Sequence, residues 1–360
     1  MKIPLIRKIR LAGLAAALCL AAGCATQTRT ARTYYFFPPP PNEPRLQFLM
    51  SFSSEKEFRG HEDRSLMTFL TGERPPDRSF GKPYGAAAGN KKIYVCDTDL
   101  NAVLVVDLQD QRIKILDAQG EGALAQPLNI SVDADGNLYV TDVGRNQVVI
   151  FDKNGIFVAA LGKEGEMKPR DAVANQDRIY VADLQKHDVL VFDKNTRNLL
   201  FEIPRAEDAT NQARVLFTPT NLALDSKGRL YVGDSGGSRV QVYDADGTYL
   251  RSVGEMGDSL GQFARVKGVA VDRDNRLYAV DAMSKVVQVF DEQGRLLTWF
   301  GLPGNINVAQ SLPSKVVVDY DDVDFFQSYA APGFKVEHLV ILINQVGPNM
   351  VSVFGFGHKK

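Results

Sequence analysis

Asn129, Asp171 and Asn221 stand two residues after Pro127, Pro169 and Pro219, and each proline opens a short apolar run. Oxygen-bearing side chains at equivalent places in a repeat can be gathered around one axis. There they could hold a divalent cation, which takes oxygen ligands and polarises an ester or lactone for attack by water. They could equally bind a small ligand, or satisfy the backbone groups at strand ends. Gly85, Gly268 and Lys315 hold the matching positions elsewhere in the chain. One step earlier come Tyr84, Leu128, Arg170, Thr220, Lys267 and Ser314. The candidate ligand ring is therefore Tyr84, Asn129, Arg170, Asp171, Asn221, Lys267 and Lys315, polar and of mixed charge.

Other chemistries find less support. Catalytic zinc needs three converging protein ligands and an open position, whereas His61, His187, His338 and His358 fall at non-equivalent places. No nucleophile–base pairing is evident. Cys19, Cys24 and Cys96 make no disulfide framework, and no Cys-x-x-Cys-His occurs for haem attachment. Cys96, between Val95 and Asp97, reads as a small buried hydrophobe. The runs Asp133-Ala134-Asp135-Gly136, Asp244-Ala245-Asp246-Gly247 and Asp272-Arg273-Asp274-Asn275 lack the full calcium-loop spacing and read as hairpin turns. No cofactor is expected beyond a divalent cation at the ring. A second set, Arg145, Lys186, His187, Arg239 and Lys285, follows a recurring Asp and could place cations around one face.

That Asp belongs to a repeat. Ile93-Tyr94-Val95-Cys96-Asp97, Leu138-Tyr139-Val140-Thr141-Asp142, Ile179-Tyr180-Val181-Ala182-Asp183, Leu230-Tyr231-Val232-Gly233-Asp234 and Leu277-Tyr278-Ala279-Val280-Asp281 are close copies. Leu339-Val340-Ile341-Leu342-Ile343-Asn344 is a degenerate sixth. A period of about 40–50 residues, with four short strands and Asp/Asn/Gly turns in each unit, predicts an all-β, six-bladed propeller. The last unit stops at Val351–Gly355 without a fourth strand. Residues 45–53 resemble a fourth strand and precede the first unit, so they are expected to complete blade six and protect its edge. The propeller is placed at 45–357. Two segments break the repeat: 54–82, with a short helix expected over 63–70, and 319–337, rich in Asp and aromatics.

The amino end reads as an address. Lys2, Arg7, Lys8 and Arg10 precede an apolar run too short to span a bilayer comfortably. Leu20-Ala21-Ala22-Gly23-Cys24 resembles the lipobox of bacterial lipoproteins, with Ala21 where Leu is more usual. The resemblance implies a signal peptide over 1–23, lipidation of Cys24, and, with Ala25 following, an outer-membrane destination on the periplasmic or surface side. Residues 24–44 read as a Pro-rich tether whose Tyr34-Tyr35-Phe36-Phe37 run either docks on the propeller or contacts a partner. The whole chain has a formal charge of −1. Removing a leader with four basic and no acidic residues would take it to −5, which argues against a nucleic-acid partner.

The pattern Pro-x-(Gly/Asn), Leu-Tyr-Val-x-Asp and Val-x-Val-Phe-Asp-x-x-Gly resembles the NHL repeat over roughly 83–355. The flanks, including Pro38–Arg45, Phe80–Gly85, Tyr329–Phe334 and Asn344–Pro348, resemble a group of six-bladed NHL lipoproteins from bacteria rich in multihaem cytochromes. That resemblance implies a non-catalytic, membrane-anchored scaffold binding a protein partner in the cell envelope, a cytochrome among the candidates. The competing reading is a small-ligand binder or a metal-assisted hydrolase of lactonase type at the channel mouth.

Overall fold

Alternating apolar residues pair into antiparallel sheets throughout the computed structural model, which describes residues 33–60, 77–163, 165–206, 211, 213–301 and 308–359. Blade one comprises Pro83–Gly89, Lys92–Asp97, Ala102–Asp107 and Arg112–Ile115. Blades two to five repeat this four-stranded meander, their first strands being Pro127–Val132, Pro169–Ala174, Pro219–Leu224 and Val266–Val271. Blade six begins with Pro313–Asp319. Each first strand packs on the next, and that of blade six packs on that of blade one, which closes the ring. The structure is thus a six-bladed all-β propeller.

The closing strand is Leu46–Phe52, paired antiparallel to Val351–Lys359. Tyr35–Phe37 then adds a fifth strand to blade six, with Phe37 opposite Leu46. The aromatic run therefore docks. Phe37 is buried, with ring centroids 6.3 Å from Phe300 and 6.0 Å from Phe354. Part of the segment read as a tether is thus sheet. It covers an edge that would otherwise offer unpaired N–H and C=O groups.

The polar residues of the repeat hold the loops. Strand pairing sets Pro83 opposite Asp97, so each first strand begins at the end where the second strand stops. Asp97 accepts from the N–H groups of Gly81 (2.7 Å) and Lys82 (2.9 Å). Asp142 does the same for Ala125 and Gln126, Asp234 for Phe217 and Thr218, and Asp281 for Ala264 and Arg265. Buried backbone donors need partners, and one carboxylate supplies them where the chain enters the axis. At the opposite end Asp133 accepts from Asp135 and Asn137 N–H and from the Tyr139 hydroxyl; Asp272 is bound likewise, including by Tyr278. Their oxygens are committed to hairpins.

The described parts of the interrupting segments pack between blades six and one. Ser54 caps a short helix, Glu55–Arg59, and Glu55 binds Arg112 (2.9 Å) and the N–H of Ile113 (2.8 Å). The helix expected over 63–70 lies outside the described residues. A second short helix, Val323–Gln327, follows blade six's first strand, and blade six's second strand starts already at Phe334. Phe58, Phe80, Phe326 and Phe334 share one core with Ile93, Val95 and Leu339. Among the described residues no helix is long and apolar enough to cross a membrane.

Candidate functional site

The innermost strands crowd the axis. A Cβ on Gly85 would lie 2.5 Å from the Cα of Asn129, and one on Gly268 would lie 2.7 Å from the Cα of Lys315. Only glycine permits that approach. Asn129, Asp171 and Asn221 are fully buried at this level, and Lys315 is nearly so. The ring brings them together, but with a different occupant from the cation considered above. Lys315, on blade six, reaches Asp171, on blade three, with Nζ 2.8 Å from Oδ2. Blades three and six face one another across a ring of six, so this ion pair spans the channel. Asp171 Oδ2 also accepts from Asn221 Nδ2 (3.2 Å) and the N–H of Leu222 (3.0 Å), and Oδ1 from the N–H of Ala172 (3.0 Å). A metal at this carboxylate would have to displace an ammonium that already neutralises it. Asn129 Nδ2 and Asn221 Oδ1 have no hydrogen-bond partner among the described residues.

One layer outward lies the mouth. Lys267 Nζ donates to the Tyr84 hydroxyl at 3.3 Å and sits 4.8 Å from the ring centroid. Ser314 donates to the Tyr84 carbonyl (2.7 Å) and Thr220 to the Gly233 carbonyl (3.2 Å). Arg170 is half-buried with no hydrogen bond or ion pair among the described residues.

The second candidate set lies at the same end, in the turns after the repeated Asp. Arg145 is spent on the carbonyls of Glu121 (2.8 Å) and Ala123 (2.7 Å) and on Gln147 (2.9 Å). Lys186 pairs with Glu202 at 2.6 Å. Arg239 lies 3.6 Å from Asp234 and donates to the Val215 carbonyl. His187 and Lys285 are exposed, and both hold the left-handed turn position, at φ 60° and 59°. Three of the five therefore brace their own blades. Cys24 lies outside the described residues. Cys96 is fully buried, and burial pushes its thiol well above its ordinary range. His338 is a core residue, stacked on Phe356 and bonded to the Tyr278 hydroxyl at 3.1 Å. No cluster of three or more His, Cys, Asp or Glu able to hold a metal is found among the described residues.

A feature that pattern reading missed is the apolar surface of the mouth end. Leu100, Met283 and Val346 lie in turns between second and third strands. Phe217, Met256 and Leu260 lie in loops leading to first strands. All six are exposed, Met256 by 73% and Met283 by 63%. The remaining exposed large apolar residues follow the outermost strands or sit in the turn at Ile156. By contrast, the aromatic segments singled out in the sequence are packed inward, with Phe326 and Phe37 buried.

Comparison with known proteins agrees with the architecture. A six-bladed β-propeller family matches residues 210–310, and the NHL repeat matches residues 124–151. No curated protein matches significantly. Among solved structures, a gluconolactonase from Xanthomonas campestris is 17% identical, over 91% of this chain and 99% of that one, with a TM-score of 0.55. A streptogramin B lyase is 14% identical over 77% and 84%, with a TM-score of 0.52. Hydrazine synthase of Kuenenia stuttgartiensis is 16% identical over 75% and 82%, with a TM-score of 0.50. At such identities the likeness shows the fold, which hosts unrelated activities. The chain is a six-bladed propeller with an NHL repeat at 124–151.

Proposed function

We propose that this propeller is a non-catalytic protein-binding scaffold, held at the bacterial outer membrane by lipid on Cys24 and accessory to envelope electron transfer through a cytochrome-type partner. The observation that carries the binding role is the concentration of Leu100, Phe217, Met256, Leu260, Met283 and Val346 on one end of the ring. Exposed apolar residues gathered on one face, and Met and aromatic residues in particular, are what docking surfaces use. The axial ion pair argues in the same direction, since the carboxylate that a hydrolytic metal would need already has a permanent counter-ion.

The test is affinity recovery of the full-length protein from mildly solubilised native membranes, with haem staining of what accompanies it. Wild type should retain a stoichiometric partner, and Met283→Glu and Val346→Glu should each lose it while keeping their thermal stability. A monomer without partner would overturn the scaffold reading. Anchoring is checked separately by detergent-phase partitioning: wild type should enter the detergent phase and Cys24→Ser should not.

A further inference from the structure

We infer that the channel mouth is a binding site for a small oxyanion, a carboxylate or phosphate, held by Arg170 and Lys267 with the Tyr84 hydroxyl. This site is separate from the apolar turns of the scaffold reading. Arg170 is half-buried on an innermost strand, and its guanidinium has no partner among the described residues. A fixed fork of donors in that state matches a carboxylate or phosphate. Lys267 has Tyr84 as its contact, a phenol that leaves its charge uncompensated. Lys267 on blade five reaches past blade six to Tyr84 on blade one, so side chains of this layer extend beyond their own blades. Below it the Lys315–Asp171 pair crosses the axis and contributes no net charge. At the same level Asn129 is fully buried, and its Nδ2 donor has no partner among the described residues.

At the rim just outside, Lys82, Lys168 and Arg265 precede their first strands, and the backbone N–H of each is held by the repeated Asp of its own blade, Asp97, Asp183 and Asp281. The rim thus carries both signs of charge, and the preference for an anion rests on Arg170 and Lys267 one layer further in. Two protein cations and a hydroxyl donor suit an anion, and disfavour the divalent cation that the ring's oxygens suggested.

Calorimetric titration of the mature protein with citrate and with inorganic phosphate, at constant ionic strength, tests this. We expect saturable one-to-one binding of at least one of the two. Arg170→Gln and Lys267→Met should each weaken it by about tenfold or more, the scale of one charge-assisted hydrogen bond. Arg170→Lys should recover part of the loss, and Lys186→Gln, remote from the axis, should change nothing. Should Arg170→Gln fold poorly, Lys267→Met alone decides. No saturable binding of either probe, or affinity unmoved by the mouth variants, would overturn the inference. So would losses equal to that of Lys186→Gln, which would signal diffuse counter-ion attraction. Citrate binding without phosphate binding assigns a carboxylate ligand; the reverse assigns a phosphate.

Discussion

Removing Lys315 should strand the Asp171 carboxylate at the centre of the ring. Lys315→Met keeps the aliphatic stem and deletes the ammonium. Asp171 is fully buried, so its charge would lose its counter-ion with no access to water. Breaking a buried pair from one side costs about 3–5 kcal/mol. Three hydrogen bonds remain, from Ala172, Asn221 and Leu222, and place the expected loss near the lower end, about 3 kcal/mol. For a domain of this size that is a drop of roughly 4–5 °C in melting temperature. Adding Asp171→Asn removes the stranded charge and should restore most of the loss, giving a coupling of about 2 kcal/mol in a double-mutant cycle. Urea unfolding of the four proteins measures this. A loss below about 1 kcal/mol for Lys315→Met, or a double variant no better than the single, would refute a buried transaxial ion pair.

Two further predictions concern pH and have opposite signs. Burial, aided by Arg276, holds the His338 imidazole down at about 4, so stability should fall as pH drops from about 6.5 towards 4, and His338→Gln should flatten that slope. Burial, with Asp183 and Glu202 nearby, pushes Asp188 up to about 7, so its ionised form is a cost above that pH. Asp188→Asn should be the more stable protein at pH 8, and the difference should vanish near pH 4; thermal melts across pH read both. Phe37→Ala should cost about 3 kcal/mol by the scale for buried aromatics, and limited proteolysis should then release the fifth strand of blade six before the ring unfolds. Gly85→Ala should destabilise the ring, since its methyl meets the backbone of Asn129 and the two strands must part; denaturant midpoints check it.

Much of the architecture was legible because a repeat is a local property. Each Leu-Tyr-Val-x-Asp copy makes its own strand and its own cap, so reading one blade reads most of the others. The splice was legible for a related reason: an unfinished unit at one terminus and an orphan strand at the other can meet only by closing the ring. The repeated Asp was seen as a marker, and only its bonds to Gly81, Lys82 and their equivalents showed it to be a clasp for the entering loop. The aromatic segments at 34–37 and 319–337 invited a surface role. The structure buries Phe37 and Phe326 because an open blade edge and an inter-blade groove needed apolar cover.

The sequence by itself determined the number of blades, the four-stranded repeat and the closure of the ring, but not the fifth strand that Tyr35–Phe37 adds to blade six. Tertiary structure alone decided what the axial residues do to one another. Position in a repeat assigns a residue to a blade and a layer, but not to a partner across the ring. Lys315 and Asp171 are 144 residues apart and meet because the ring is narrow enough for one lysine to cross it. That contact gives the Asp171 carboxylate a counter-ion at the level where the ring's oxygens could have held a cation.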